Sequence, residues 1–425
     1  MNVTAASDAA ALGELLEAGW RAPDEIVREV AAVIADVRDR GDAAIVQYAR
    51  RFDDPQFDSS KLRVAVPDVE VARSSIPQEV AAALELLEDR IARFHRRQRQ
   101  PEVAYVEADG TRYAMQRLPL QSVAVYTPRT APATLALMGV VPARIAGVSR
   151  IAILSPPSPH GMSPALLFAC ALCGVRELYA VGGAQAIAAA AFGSGSIARV
   201  DKIVGRAGIR TTEAKRQVFG LCGVDSVAGP PEILVVADDG ANSEYVVGEL
   251  LAASEVPGVR RLAVLSESRP LLEAVAQLID TLDLRTLERN EFVSAAIDVH
   301  CRLIEASSHD ELFAVLNRIA PAYISLQVRD PAFYLERIHT AGIVLVGDTT
   351  PLASGEYLAG TSNMIPTHGT ARFSSALSLS DFMRSYSIVE YSSERMTNDA
   401  SALMALAEFD GLPHRAQTAR MRCGG

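Results

Sequence analysis

The sequence has few cysteines, a single tryptophan and no long apolar run. Five cysteines in 425 residues are too few and too scattered for a disulfide framework. Cys170 and Cys173 form a C-x-x-C, but they lie in the apolar run ALLFACALCG without a second pair. Buried helical thiols therefore explain them better than a zinc or redox pair.

Targeting and membrane signals are also missing. No apolar stretch approaches the roughly 20 residues that a membrane span needs. The first residues, MNVTAASDAAALGELLEAGW, contain no basic segment followed by an apolar one, as a secretory signal would. We expect a cytoplasmic protein without a membrane partner.

Positive charge is in deficit. The formal net charge of −10 excludes a broad electrostatic attraction to nucleic acid or to an anionic membrane. The cationic stretch RFHRRQR at 93–99 has no aromatic stacking platform beside it, so a solvated helix face is the better interpretation than a nucleic-acid patch.

The hydrophobic pattern changes along the chain. Residues 24–51 and 77–98 have helical periodicity, and Gly41 interrupts the first run. From residue 122, short apolar strands alternate with helices, and the alternation starts again after Pro231. This pattern predicts parallel sheets covered by helices, and two such units favour a small-molecule enzyme with a cleft between them.

The predicted fold class is α/β, with two Rossmann-like, doubly wound parallel-sheet domains and helical segments at both ends. The predicted boundaries are as follows: an N-terminal helical segment over 1–23, a larger α/β domain over 24–125 and 231–377, a second α/β domain on the dinucleotide side over 126–230, and a C-terminal helical segment and tail over 378–425.

Five segments carry a specific resemblance. In chain order they are DVRDRGDAAIVQYARRFD (36–53), VGGAQAIAA (181–189), VDKIVG (200–205), EYLAG (356–360) and GTARFSSALSLSDF (369–382). Together they resemble histidinol dehydrogenases, and the resemblance runs from about residue 24 to the C-terminus.

The resemblance implies oxidation of L-histidinol through the aldehyde to L-histidine, with NAD used twice and one zinc ion per site. It also implies an intertwined homodimer in which the tail of one subunit reaches the site of the other. Zinc would need about four N, O or S ligands, and proton removal would need a general base near neutrality.

The implied catalytic pair and two implied zinc ligands have other residues here. The family's A-P-E-H is APAY, which puts Ala322 and Tyr323 at the positions of the catalytic Glu and His. The family's S-Q-A-E-H is AASEV, which puts Ala253 and Val256 at two ligand positions. Neither alanine nor valine can coordinate a metal, so zinc is not expected.

The two remaining ligand positions carry opposite charges. The Asp of the family's G-D-Y-L-A-G is Glu356, and ungapped alignment of DGLPHR puts Arg415 at the position of a ligand His. A one-residue gap would place His414 there instead, and both alignments remain open. Because Arg and carboxylate pair well, we hypothesise that Arg415 of one subunit meets Glu356 of the other.

The implied contacts to NAD and substrate are partly retained. Tyr126 and Gln185 match NAD-contacting positions, so NAD binding is compatible with the sequence. The Asn of the family's V-G-P-G-N is Gly208 within VGRAG, and the serine of A-G-P-S-E is Pro231. The family's Y-V-P-G-G loop is YTPRT and appears two residues shorter.

Two further polar residues fall near these motifs. Asn363 stands where the family's G-P-N-H carries its His, and His368 lies in PTHGTARF, where glycine is usual. Either side chain could bind a substrate, although an exposed loop position without a role explains them as well.

Three functions remain open on the sequence. The departures favour a homologue that does not oxidise L-histidinol and acts on another small molecule as a repurposed, metal-independent and NAD-linked enzyme, with Tyr323, Glu356 and Arg415 as catalytic candidates. A non-catalytic pseudoenzyme with a binding or regulatory role is the alternative. The third is zinc- and NAD-dependent oxidation of L-histidinol.

Overall fold

The computed structural model describes residues 1–8, 10–17, 19–259 and 261–423. The strands in chain order are β1 Val3–Ala5, β2 Arg63–Val64, β3 Val103–Val106, β4 Arg112–Pro119, β5 Ser122–Tyr126, β6 Arg150–Ser155, β7 Glu177–Ala180, β8 Lys202–Val204, β9 Gly223–Val224, β10 Glu232–Ala237, β11 Arg261–Ser266, β12 Cys301–Glu305, β13 Tyr323–Gln327, β14 Ile343–Val346 and β15 Met383–Glu390.

The α-helices in chain order are α1 Gly13–Leu16, α2 Asp24–Arg40, α3 Asp42–Phe52, α4 Val69–Ser74, α5 Gln78–Arg96, α6 Pro132–Ala146, α7 Pro164–Leu172, α8 Gly183–Phe192, α9 Ile209–Val218, α10 Ser243–Ser254, α11 Arg269–Thr281, α12 Asn290–Ala295, α13 His309–Ile319, α14 Pro331–Leu335, α15 Ser393–Phe409 and α16 Pro413–Cys423. Two π-helical turns, Ala296–His300 and Ser354–Leu358, interrupt this pattern.

Two six-stranded sheets form the larger part of the molecule. Sheet A has the order β1-β12-β11-β10-β13-β14, and every neighbouring pair in it is parallel. Sheet B has the order β2-β7-β6-β5-β8-β9 and is parallel except for the short edge strand β2. In sheet A, the chain adds β11 and β12 on one side of β10 and then adds β13 and β14 on its other side. In sheet B, it adds β6 and β7 on one side of β5 and then adds β8 and β9 on its other side.

Both sheets are buried on both faces, as parallel sheets usually are. On sheet B, Ala124 packs with α2, α3, α8 and α9, while Val123 and Val125 pack with α5, α6 and α7. On sheet A, Val235 faces α10 and α11, and Leu234 faces α13. These helices therefore cover opposite faces, which confirms the predicted doubly wound α/β class.

Local sequence explains individual elements. In α2 the buried residues Val30, Val33 and Val37 recur every three to four positions, the spacing of one helical face. Gly41, with φ of 55°, ends α2 in a conformation that favours glycine.

Cys170 and Cys173 are buried, and burial raises the pKa of each thiol to about 12, which agrees with the predicted structural thiols.

Three local predictions were wrong. The sequence predicts a strand over AAIDVH, but Ala296–His300 is a π-helical turn and the strand starts at Cys301. Its apolar residues satisfy a helical spacing, with Val293, Ala296 and Ile297 buried together. Strand β1 lies within the predicted N-terminal helical segment, where it pairs with β12. Strand β15 lies within the predicted C-terminal helical segment, where pairing with β4 overrides the local pattern.

The compact units differ from the predicted domain boundaries. One unit comprises residues 1–98 and 120–382, and the other comprises residues 99–119 and 383–425. The second unit contains an antiparallel sheet of order β15-β4-β3 and the helices α15 and α16. Within the first unit, residues 24–52 pack on sheet B rather than with residues 231–377. Whether either α/β half folds independently stays a prediction.

No helix in the described part of the chain is both long and apolar enough to cross a membrane.

Candidate functional site

Three polar side chains from distant parts of the chain converge on one carboxylate, that of Glu356. Glu356, in the π-helical turn after β14, accepts a hydrogen bond from the Tyr323 hydroxyl at 2.8 Å. Arg206 Nη1 donates to its Oε1 at 3.0 Å and its Oε2 at 2.7 Å. Asn363 Nδ2 donates to its Oε2 at 3.2 Å. We call Arg206, Tyr323, Glu356 and Asn363 the Glu356 cluster.

Tyr323 reaches the cluster because it opens a central strand. It is the first residue of β13 and pairs in register with Ile233 on one side and Ile343 on the other. A Cβ on Gly355 would lie 3.3 Å from the ring, so this glycine lets the turn approach. Burial raises the pKa of Tyr323 well above its ordinary value, and the Glu356 carboxylate adds to the effect. The hydroxyl is therefore a donor throughout the neutral range.

A buried glutamate, Glu232, fixes the residue that precedes this tyrosine. Glu232 Oε1 accepts from the backbone N–H of Ala322 at 3.0 Å and of His368 at 2.9 Å. Its Oε2 pairs with Arg261 at 2.9 Å. Burial raises the pKa of Glu232, and the Arg261 charge opposes that rise. Glu232 thus ties the start of β13 to the loop that carries His368.

Arg206 extends from a loop that a second buried ion pair holds. The loop begins after β8 with Gly205, whose N–H donates to Asp225 Oδ2 at 2.9 Å and whose carbonyl accepts from Lys215 Nζ at 3.0 Å. Lys215 and Asp225 also contact each other, with side chains only 3% and 4% exposed. Both polar groups of the Gly205 backbone are therefore fixed next to Arg206.

This loop lies at the point where sheet B changes direction. Strands β5 and β8 are neighbours, yet β6 and β7 continue from β5 on its other side. Ligands of open α/β sheets bind beyond the carboxyl ends of the strands at such a point. The loops approach closely: a Cβ on Gly205, which has φ of +133°, would lie 2.1 Å from the carbonyl oxygen of Tyr126.

Tyr126 and Gln185 meet at the same edge of sheet B. Tyr126 ends β5, and its buried hydroxyl accepts from the Gly183 N–H at 3.3 Å. Gln185 lies in the first turn of α8, with Oε1 2.7 Å from where a Cβ on Gly183 would be. Thr127 is fully buried, and its Oγ1 has no hydrogen-bond partner among the described residues. Gly183, the N-terminus of α8 and the unpaired Thr127 hydroxyl are together suited to binding a dinucleotide.

The positions implied for zinc lack suitable donors. Ala253 is buried at the end of α10, in one apolar cluster with Ala322 and Tyr323. Val256 is 40% exposed just beyond that helix. Within the described ranges, no group of three or more His, Cys, Asp or Glu side chains could hold a metal ion. Ala253 and Val256 therefore supply no donor atom to a zinc ion, which needs about four in a stable site.

Arg415 and His414 are exposed on α16, in the second compact unit. The cation that pairs with Glu356 within this chain is Arg206. Contact between Arg415 and Glu356 across a dimer stays a prediction.

Arg206 is the cluster residue that sequence reasoning missed. Its signal was available in VGRAG, where an arginine stands at the proline position of the family's V-G-P-G-N. Gly208 itself caps the start of α9 with an ordinary φ of −73°, and Pro231 immediately precedes β10.

One groove lies elsewhere on the surface. It has a volume of about 510 Å³ and is bordered by Met1, Asp280 and Arg302. None of the residues around the groove belongs to the Glu356 cluster or to the Tyr126 edge. The chemistry of the side chains, rather than the size of the groove, locates the candidate site.

Comparison with known proteins gives a consistent result. The family model for histidinol dehydrogenase matches residues 19–423. The chain is 34% identical to histidinol dehydrogenase of Listeria innocua over 425 residues, which is 99% of each chain. It is 36% identical to that of Geobacter sulfurreducens over 96% of each chain. A crystal structure of histidinol dehydrogenase from Elizabethkingia anophelis superposes with a TM-score of 0.91 at 26% identity, covering 99% of this chain and 98% of that one.

These comparisons contradict the function that the sequence departures favoured. Relatives that share about a third of their residues with nearly the whole chain are named for histidinol oxidation. They support the usual activity of that group, against both a repurposed enzyme for another small molecule and a non-catalytic pseudoenzyme. Single motif positions were given too much weight relative to similarity along the full length.

Proposed function

The chain belongs to the histidinol dehydrogenase family, and on that premise we propose that it oxidises L-histidinol with NAD. The observation that carries the proposal is the similarity over 99% of both chains to a protein named for this activity. The direction change in sheet B supports it, because it places Tyr126, Gln185 and Arg206 along one edge.

NAD fits the carboxyl edge of sheet B and would supply the hydride acceptor for each oxidation step. Gly183 has φ of +63° and no room for a side chain beside Gln185, so this turn before α8 requires a glycine. The Tyr126 hydroxyl holds that glycine N–H. Tyr126 and Gln185 then serve to orient the cofactor rather than to transfer protons, since burial raises the pKa of Tyr126.

The Glu356 cluster supplies the acid–base chemistry in this proposal. Removing a hydride from an alcohol requires that the hydroxyl proton leave to a nearby base. Glu356 is the one carboxylate of the cluster, and Tyr323, Asn363 and Arg206 fix its two oxygens. We place Glu356 as the proton acceptor and Tyr323 as the donor that keeps its orientation.

No step of the proposed reaction uses a zinc ion. Ala253 and Val256 offer no ligand atoms, and Glu356 already pairs with an arginine. We propose that this member of the family does not hold zinc at the four implied positions, including Arg415. Ala322 and Tyr323 occupy the positions implied for the catalytic Glu and His, and we propose that this protein lacks that catalytic pair.

We also propose a cytoplasmic homodimer that binds a small-molecule substrate and no nucleic acid. Support for the dimer comes from apolar side chains exposed on the C-terminal helices: Leu406 is 66%, Phe409 90% and Met421 73% exposed. Monomers rarely expose several such groups near one another. A second copy of the chain would cover them.

The test is NAD reduction by the purified protein with L-histidinol, in parallel with added zinc and with EDTA. Turnover that is equal in both conditions supports the proposal. Turnover that requires zinc would retain the function but overturn the assignment of the metal positions. No turnover in either condition would exclude histidinol oxidation. Light scattering at several protein concentrations tests the dimer separately.

A further inference from the structure

The orientation of the Asn363 amide is determined by its neighbours. Its nitrogen lies 3.2 Å from Glu356 Oε2 and 3.2 Å from the Glu356 carbonyl oxygen. Both atoms are acceptors, so the amide must present its NH₂ group to them. The Asn363 oxygen consequently points away from Glu356.

That oxygen is an unused buried acceptor. Asn363 is only 2% exposed, and its Oδ1 has no hydrogen-bond partner among the described residues. Buried polar atoms are nearly always paired, and each exception calls for an explanation. A ligand that donates a hydrogen bond at this position would satisfy it.

Arg206 offers the complementary groups. Its hydrogen bonds to described residues both leave from Nη1, while a guanidinium carries five N–H donors. The side chain is 25% exposed, and its Nε and Nη2 have no hydrogen-bond partner among the described residues. Burial acts to lower the pKa of Arg206, but the Glu356 charge and hydrogen bond together with the neighbouring tyrosines more than offset it, and the pKa is raised. The cation is therefore permanent.

These two groups share one anchor. Arg206 Nη1 and Asn363 Nδ2 bind the same carboxylate oxygen, Glu356 Oε2, at 2.7 and 3.2 Å. An acceptor from the amide and donors from the guanidinium are thus held beside each other. A 2-amino alcohol presents the reverse arrangement, with a donor amine next to a hydroxyl oxygen that accepts.

We propose that Asn363 Oδ1 binds the amino group and Arg206 binds the hydroxyl oxygen of a 2-amino alcohol, without a metal ion. Arg206 then also stabilises the negative charge that develops on the oxygen as the proton leaves. This inference rests on the proposed function and identifies the residues that give it specificity. The Asn363 amide and the Arg206 guanidinium then provide the recognition that a metal ion would otherwise provide.

Binding without NAD tests the inference independently of turnover. Titration calorimetry compares L-histidinol with 3-(imidazol-4-yl)propan-1-ol, which lacks only the amino group, using EDTA-treated protein. The wild type should prefer L-histidinol by about tenfold to a hundredfold. Asn363→Leu should bind both compounds equally. Arg206→Met should weaken both, and Arg206→Lys should recover part of the loss because the charge remains.

Arg210→Met is the matched control. Arg210 lies four residues beyond Arg206, is 53% exposed and pairs with Glu29, so its removal should leave both affinities unchanged. If Asn363→Leu fails to fold, Asn363→Ala provides the same comparison. Melting curves identify variants that have lost structure.

The outcomes separate this inference from the proposed function. Turnover of L-histidinol with unchanged affinities in Asn363→Leu and Arg206→Met would overturn the inference and leave the function. Selective binding without turnover would overturn the function and retain the amine recognition. Loss of all L-histidinol binding after EDTA treatment, with one zinc per chain measured beforehand by mass spectrometry, would overturn the inference in favour of a metal. Absence of L-histidinol binding in untreated wild type would overturn both.

Discussion

Tyr323 donates its hydroxyl to Glu356 Oε1 at 2.8 Å, although 33 positions separate the two residues in the sequence. The tyrosine opens strand β13, and the glutamate lies in the turn that follows the next strand of sheet A. Two positions that the resemblance treated separately are therefore one hydrogen-bonded unit.

Tyr323→Phe should lower kcat for L-histidinol by about tenfold to a hundredfold, because Glu356 loses its neutral donor. The free energy of unfolding should fall by about 1.5 kcal/mol, a usual value for a hydrogen bond to a charged group. Steady-state kinetics and urea denaturation measure the two effects. Tyr105→Phe is the control, since Tyr105 is 52% exposed; equal losses in both variants would contradict a role in the cluster.

Gly205→Ala should destabilise the protein by at least about 2 kcal/mol. Its Cβ would lie 2.1 Å from the Tyr126 carbonyl oxygen, at a backbone φ of +133°. Gly208→Ala in the same loop is the matched control, since its Cβ would meet nothing within 4 Å. Thermal and urea unfolding should show a large loss for the first variant and little change for the second. Similar stability of both variants would show that the β5 and β8 loops are not in close contact.

Lys215→Met should cost about 3 to 5 kcal/mol of stability, because it leaves the buried Asp225 carboxylate without its cation. The double variant Lys215→Met with Asp225→Asn should recover part of that loss, since no uncompensated charge remains. Urea denaturation of wild type, both single variants and the double variant completes the cycle. Strictly additive effects would contradict a direct Lys215–Asp225 pair.

Glu249→Gln should change the pH dependence of stability. Glu249 is 7% exposed, and among the described residues it accepts only from the Leu352 N–H, at 2.8 Å. Burial raises its pKa. A carboxyl group with a raised pKa keeps its proton to a higher pH in the folded state than in the unfolded state. Its contribution to stability is therefore complete below about pH 4.5 and is lost as the pH rises through the folded-state pKa. The glutamine variant escapes this loss.

We therefore expect Glu249→Gln to be more stable than wild type at pH 7 by about 1 kcal/mol, and equally stable at pH 4. Unfolding curves collected across this pH range provide the measurement. Glu244→Gln on the same helix is the control, because Glu244 lies in the exposed first turn. A stability difference that does not vary with pH would exclude desolvation of Glu249 as the cause.

Much of the fold was predictable because its signals are local. The apolar strands EILVVA and RLAVLS have no polar alternation, which is typical of sheets buried on both faces. The antiparallel sheet of β3, β4 and β15 was not predictable in this way. Its strands are mostly exposed, and β15 pairs with a segment more than 260 residues earlier, so no short window contains the pattern.

The candidate site was predictable only in part. The motifs drew attention to Tyr323, Glu356 and Asn363, which the structure brings together. They did not identify the cation that joins them, because Arg206 comes from the other sheet, 150 positions before Glu356. The sequence offers several arginines and no means of choosing the one that meets this carboxylate.

The sequence by itself determined the two helix-covered parallel sheets, the buried thiols and the residue types at each motif position, because periodicity and side-chain chemistry are local properties. Tertiary structure alone decided that Arg206 pairs with Glu356, that Gly205 must be a glycine and that Asn363 retains an unpaired oxygen. Each of these facts depends on a distance between segments far apart in the chain: the loop after β8 meets the end of β5 at Tyr126 and the turn after β14 at Glu356.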